Sequence, residues 1–232
     1  MQISGWIRQS LMDYPGKIAS VVFTQGCNFR CPYCHNPELI GFGEGAIPED
    51  VVLAHLDKNR FLLDGLVITG GEPTMQPDLC VFIRQVKDLG LFVKLDTNGS
   101  HPKILLQLLN EHLVDYVAMD VKSALKEKDY AAAAGVVFSS RKLEQIRRSV
   151  RYIVRSGVDH EFRTTVCREL ISFDHIRGIL SELKDAQRYF LQQYRPGEKQ
   201  DDAENYSAYP IDVMTDFVRQ QSTGKLRLIV RE

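Results

Sequence analysis

Between Cys27 and Asn36 the chain reads CNFRCPYCHN, three cysteines and a histidine within ten residues. Thiolates attack disulfides and bind soft metals, so their spacing decides which chemistry they can do. Three chemistries compete for this stretch. Cys31-Pro32-Tyr33-Cys34 by itself is a C-x-x-C redox dithiol. Cys31 to His35 spells C-x-x-C-H, the attachment site of a c-type haem. Cys27, Cys31 and Cys34 together spell C-x3-C-x2-C, three thiolates suited to an iron–sulfur cluster.

The first two readings each leave something out. A glutaredoxin-like dithiol needs a domain of about half this length and gives Cys27 no role. A c-type haem generally belongs to exported proteins, and the N-terminal MQISGWIRQSLMDYPGK lacks the apolar core of a signal peptide. Structural zinc wants four ligands, and adjacent Cys34 and His35 rarely reach one tetrahedral ion together. A [4Fe–4S] cluster uses all three cysteines. With three thiolates it keeps one iron open to an outside ligand, such as an amino nitrogen paired with a carboxylate oxygen.

The elements that must position this loop are legible in the hydropathy pattern. Short β-branched runs at 18–24, 65–70, 91–97, 114–122, 158–166 and 188–194 read as strands. Helical patterns lie between them. Leu143, Ile146, Val150, Ile153 and Val154 share one face of a helix that Gly157 is placed to end. Leu79, Phe82, Ile83, Val86 and Leu89 repeat that logic, and Ser100 with Pro102 opens a third helix. Strand–helix alternation of this kind implies a parallel sheet with right-handed crossovers, an α/β fold resembling a partial (β/α)6 TIM-like barrel. Polar groups recur at the C-terminal strand ends: Thr69, Asp96, Asp120, Arg163 to Thr165, and Gln192 with Gln193. That rim is where such folds build their sites.

A chain of 232 residues is long enough for a well-buried core, and no linker or repeat divides it. One domain is therefore expected over 1–232, with a core of about 17–196 and a C-terminal extension of about 197–232. A net charge of −1 gives no global reason to expect nucleic acid or an anionic membrane as partner. No run approaches the ~18 apolar residues of a membrane helix. A cytoplasmic location is expected, where thiols stay reduced and five cysteines do not make a disulfide framework. Of the other two cysteines, Cys80 reads as a helix core residue and Cys167 as buried filler near the rim.

With these elements in place, the chain resembles the radical S-adenosylmethionine superfamily. C-x3-C-x2-C follows the first expected strand, an aromatic (Tyr33) precedes the last cysteine, and Gly70-Gly71-Glu72-Pro73 ends the second strand. The resemblance implies one [4Fe–4S] cluster on Cys27, Cys31 and Cys34, with S-adenosyl-L-methionine held by Gly70, Gly71 and Glu72 through its methionine amino group. It also implies reductive cleavage to methionine and a 5′-deoxyadenosyl radical.

Within that superfamily, Cys34-His35-Asn36, Asp96-Thr97-Asn98-Gly99 and Asp120-Val121-Lys122 resemble segments of glycyl-radical-enzyme activating proteins. In those proteins Asp96, Thr97 and Asp120 would contribute to a monovalent-cation site beside the S-adenosylmethionine carboxylate. Asn98 would join the cofactor site, Lys122 would face cofactor or substrate, and Arg163 would contact ribose or carboxylate. The N-terminal RQSLMDYPGKIASVVFTQGCNFRCPYCHNPELI and Leu191 to Pro196 resemble the group that activates anaerobic ribonucleotide reductase. That implies a glycyl radical enzyme as protein substrate and a low-potential electron donor such as flavodoxin or ferredoxin. Two alternatives stand beside it. One is a small-molecule enzyme similar to 7-carboxy-7-deazaguanine synthase; the other is a non-catalytic thiol or iron–sulfur electron carrier.

Overall fold

A computed structural model of the protein describes residues 1–196, 205–221 and 225–232. Its strands are β1 (Ile3–Ser10), β2 (Ala19–Thr24), β3 (Gly65–Gly70), β4 (Phe92–Thr97), β5 (Tyr116–Asp120), β6 (Asp159–Val166), β7 (Arg188–Gln193) and β8 (Arg227–Arg231). They lie side by side in sequence order in one sheet. β1 runs antiparallel to β2, and every later pair is parallel. The helices are α1 (Glu49–Asn59), α2 (Leu79–Asp88), α3 (Pro102–Asn110), α4 (Glu127–Ala134), α5 (Ser140–Ser156), α6 (Phe173–Glu182) and α7 (Ile211–Gln221).

The six expected strands correspond to β2 through β7, and two more flank them. β1 escapes a hydropathy reading because only Ile3 is buried and its middle, Trp6 to Gln9, is half-buried or exposed. β8 is short and half-buried, and it extends the sheet beyond β7. The C-terminal extension thus returns to the sheet through α7 and β8; residues 197–204 and 222–224 of it lie outside the described residues.

Alternation along each strand separates two cores. The outer face packs under the helices: Leu66 and Ile68 of β3, Val93 and Leu95 of β4, and Val117 and Met119 of β5 join one large apolar cluster. α2 presents Leu79, Phe82, Ile83 and Val86 to it, each fully buried and worth roughly 1.5–3 kcal/mol against exposure. α5 behaves similarly. The Ser139 side chain accepts from Lys142 N at its start, and Gly157 ends it with a left-handed φ of 74°. Arg147 on this helix is more than a solvated charge: it donates to Glu182 Oε1 (3.1 Å) and to the Leu125 carbonyl (3.0 Å), joining α5 to its neighbours.

The inner face has a small apolar floor of Ala19, Val21, Val67, Tyr116 and Ala118. Tyr14 covers it, its ring 5.8 Å from that of Tyr116. The Asp13-Tyr14-Pro15-Gly16 turn therefore closes the barrel opposite the rim. Toward the C-terminal strand ends the inner face changes from apolar to charged, and there the candidate site begins.

Candidate functional site

The cysteine loop leaves β2 and is fixed from three sides. Cys27 N donates to the Ile40 carbonyl (3.1 Å), and Arg30 N to the Ala134 carbonyl at the end of α4 (2.9 Å). Phe29, between the first two cysteines, is buried edge-on against Phe138 at 5.5 Å and Tyr130 at 6.4 Å. Cys34 N donates to the Cys31 carbonyl (3.0 Å), which curls the C-P-Y-C segment. Burial pushes the Cys27 thiol up to about 11, partly offset by the Phe29 N–H that donates to its sulfur (3.4 Å). Burial likewise pushes Cys31 up to about 12. Without a metal these two sulfurs are protonated thiols, and ligation would release their protons.

Gly70 and Gly71 carry the end of β3 against that loop. Gly71 N donates to the Thr24 carbonyl and Glu72 N to the Gly26 carbonyl, both at 2.9 Å. A Cβ on Gly71 would lie 2.1 Å from the Gly26 carbonyl oxygen. The glycines thus permit two backbones to approach each other, and not only a ligand to approach a backbone.

Glu72 is fully buried and ties the same segment to β4. Its Oε1 accepts from Thr74 N (3.1 Å), Thr74 Oγ1 (2.5 Å) and Thr97 Oγ1 (2.6 Å), and its Oε2 accepts from Asn98 N (2.7 Å). Asn98 in turn donates through Nδ2 to Asn28 Oδ1 in the cysteine loop (2.9 Å). One carboxylate therefore holds the G-G-E-P and D-T-N-G segments in fixed relation to the cysteines.

A charged strut crosses the inner ends of β4, β5 and β6. Arg163 donates from Nε to Asp120 Oδ1 (2.8 Å) and from Nη1 to Asp96 Oδ2 (3.2 Å). Lys94 Nζ donates to Asp96 Oδ1 (2.5 Å), and Lys122 Nζ to Asp120 Oδ2 (3.0 Å). Burial pushes both carboxyls up, but Arg163 foremost, with Lys94 at one and Lys122 at the other, holds them below the usual carboxylate range. Burial works against the Lys122 charge, and Asp120 more than restores it, keeping the ammonium above its ordinary value. Three cations here face two carboxylates, which leaves the strut with positive charge to offer an anion.

One cavity of about 360 Å³ collects these groups. Cys27, Cys31, Cys34, Tyr33, Gly70, Gly71, Glu72, Asp96, Thr97, Asn98, Asp120, Lys122 and Arg163 all line it. His35 and Asn36 line it too, and His35 Nε2 donates to the Arg195 carbonyl (3.1 Å). Cys80 and Cys167 do not; the Cys167 thiol donates to Glu169 Oε2 (3.2 Å). Lys94, Asn28 and Arg195 join the site without being fixed positions of any of the motifs. Lys94 had a usable signal, since it stands two residues before Asp96 on a strand and so shares its inward face.

The donor set suits an iron–sulfur cluster with a bound nucleotide carrying an amino acid. The three thiols are the soft donors of the cavity, and the Tyr33 hydroxyl, in a side chain only 3% exposed, is buried there with no hydrogen-bond partner. Positive charge from the strut suits a carboxylate, and the inner face beyond the strut is lined by the buried apolar floor. No helix among the described residues is long and apolar enough to cross a membrane.

Comparison with known proteins points to the same cofactors. Residues 21–183 match the sequence profile of the Radical SAM superfamily. A Methanocaldococcus jannaschii protein whose name assigns it to glycyl-radical enzyme activation is 35% identical over 86% of this chain and 82% of its own. The pyruvate formate-lyase-activating enzyme of Clostridium pasteurianum is 26% identical over 79% of this chain and 78% of its own. Among solved structures, Streptococcus suis SuiB bound to S-adenosylmethionine superposes with a TM-score of 0.69 at 15% identity, over 90% of this chain and 48% of SuiB. The chain thus spans about half of that structure's length, and the likeness is one of fold.

Proposed function

The chain belongs to the radical S-adenosylmethionine superfamily, and from that premise we propose that it is an activating enzyme that makes a glycyl radical on a large partner protein. When bound and reduced, the cluster would supply the electron for cleaving S-adenosylmethionine, and so the radical chemistry needed to remove hydrogen from a glycine Cα. The protein's work is to hold, orient and exclude. Cys27, Cys31 and Cys34 ligate a [4Fe–4S] cluster. Gly70, Gly71 and Glu72 offer backbone and carboxylate acceptors to an amino group. Lys122 and Arg163 offer cationic donors to a carboxylate. Tyr33 and Asn98 complete the cofactor wall, while Asp96, Thr97 and Asp120 set the orientation of their neighbours.

The observation that carries the proposal is the convergence of the cysteine motif, G-G-E-P, D-T-N-G and D-x-K on one cavity, with His35 and Asn36 in its wall. The last three features resemble segments of activating proteins, and the Methanocaldococcus relative supports the same assignment. Sheet geometry supports a macromolecular substrate as well. Among the described residues β1 and β8 remain unpaired with each other, so the wall is open at one side, where a glycine-bearing loop could enter. Residues 1–232 form a single radical S-adenosylmethionine domain in this reading, because β1 and β8 belong to the same sheet as the core. The favoured partner is anaerobic ribonucleotide reductase, from the resemblance of the N-terminal segment, and the electron donor is a flavodoxin or ferredoxin.

Anaerobic mixing of the reduced, cluster-loaded protein with S-adenosylmethionine and candidate glycyl radical enzymes tests this by EPR. A glycyl doublet on the reductase is expected. Production of 5′-deoxyadenosine with no radical on any such enzyme would remove the activase assignment and leave the superfamily standing.

A further inference from the structure

The activating proteins that this chain resembles would place a monovalent cation among Asp96, Thr97 and Asp120, and the side chains here do not fit one. All four carboxylate oxygens of the two aspartates already face nitrogen cations: Asp96 Oδ1 and Oδ2 face Lys94 and Arg163, and Asp120 Oδ1 and Oδ2 face Arg163 and Lys122. The Thr97 hydroxyl donates to Glu72 Oε1 and accepts from Gly99 N (3.1 Å), so its proton and one of its two lone pairs are committed to those partners. A hard cation needs several oxygens turned toward it at once, and here each carboxylate oxygen is already engaged by a lysine or arginine nitrogen. Adding a further positive charge beside three others in a half-buried layer would also be opposed electrostatically.

We propose that the Lys94 ammonium is this protein's built-in replacement for the monovalent cation, making the site independent of sodium and potassium. Lys94 is placed for it: its side chain is only 4% exposed, and it shares the inward face of β4 with Asp96. An unpaired lysine at that depth would be destabilising, and Asp96 supplies the pairing. The ammonium balances Asp96, so the Arg163 guanidinium is not neutralised by the two aspartates it bridges and keeps charge for a ligand carboxylate. Tethering fixes this cation at no cost in binding entropy and without exchange with solvent. Lys94 is thus a positioning residue, acting through Asp96 and Arg163.

This inference rests on S-adenosylmethionine being the ligand, and the test separates the two claims. Affinity of the cluster-loaded protein for S-adenosylmethionine is measured by equilibrium dialysis in potassium, sodium and tetramethylammonium chloride at equal ionic strength. Thallium(I) NMR of the same protein reports directly on a bound monovalent ion. The wild type is expected to bind equally, within about twofold, in all three salts and to show no thallium site displaced by potassium. Lys94→Ala and the longer Lys94→Met are expected to bind weakly in tetramethylammonium and to recover in potassium or sodium, with a coupling in the roughly 5- to 150-fold range usual for linked sites. A wild type that needs sodium or potassium, or that holds displaceable thallium, overturns the proposal even if neither variant folds. Folded variants that bind as the wild type does in every salt overturn it as well. Failure of the wild type to bind in any salt would instead count against S-adenosylmethionine as the ligand.

Discussion

Replacing Arg163 with methionine removes the guanidinium at the centre of the strut while keeping an unbranched apolar stem. Two charge-assisted contacts disappear, the 2.8 Å bond to Asp120 and the 3.2 Å bond to Asp96. Breaking a buried ion pair by deleting one partner costs roughly 3–5 kcal/mol because a charge is left uncompensated. Here Lys94 and Lys122 still pair each carboxylate, and the groups are half-buried, so about 2–3 kcal/mol is expected near pH 7. The pH dependence sharpens the test. In the wild type both carboxyls sit below their unfolded value of about 3.9, so their stabilising contribution is complete above about pH 4 and is lost as pH falls through their folded values. In the variant, burial pushes the same carboxyls up against one cation fewer. They protonate earlier, and the deficit against wild type shrinks on acidification from about pH 7 to about 4.5. Urea denaturation followed by circular dichroism at several pH values measures this. A deficit below about 0.5 kcal/mol, or one that does not change over that range, would refute the reasoning.

Three further outcomes follow from the same geometry. Gly71→Ala should separate the G-G-E-P segment from the cysteine loop, since its Cβ would meet the Gly26 carbonyl oxygen at 2.1 Å; iron content after reconstitution should fall and urea stability drop by about 2 kcal/mol or more. Tyr33→Phe should leave the metal-free protein as stable as wild type or about 1 kcal/mol more so, because the lost hydroxyl has no partner, while calorimetry shows weaker S-adenosylmethionine binding to the loaded protein. Alkylation of Cys27 in the metal-free protein, followed by mass spectrometry, should run about 100-fold slower near pH 8 than for an ordinary thiol and rise about tenfold per pH unit, as a thiol held at about 11 requires.

Legibility in the sequence followed burial contrast. β2 to β7 carry apolar runs because helices cover their outer face, and their bounds could be read from the sequence to within a residue or two. β1 and β8 lie at the sheet's ends, half-buried, and their alternation is diluted by polar and charged residues, as in the exposed Arg8 and Gln9. Site residues were legible where a side chain or spacing announces chemistry, as with the cysteines, Glu72 and Arg163. Lys94 was easily passed over, because a lysine between Val93 and Leu95 looks like a surface charge, although its spacing of two from Asp96 already put both on one face. Glycine roles were legible only in part: Gly71 clearly needs close approach, but only the fold reveals that the approaching group is the Gly26 backbone.

The proposed activity requires that hydrogen pass from a glycine Cα of the partner to the 5′-deoxyadenosyl group. The direct measurement uses a partner glycyl radical enzyme labelled with α-deuterated glycine, with mass spectrometry of the 5′-deoxyadenosine formed under single-turnover conditions. One deuterium per 5′-deoxyadenosine, appearing together with the glycyl doublet, is the predicted result. Unlabelled 5′-deoxyadenosine with the partner's glycine unchanged would contradict it.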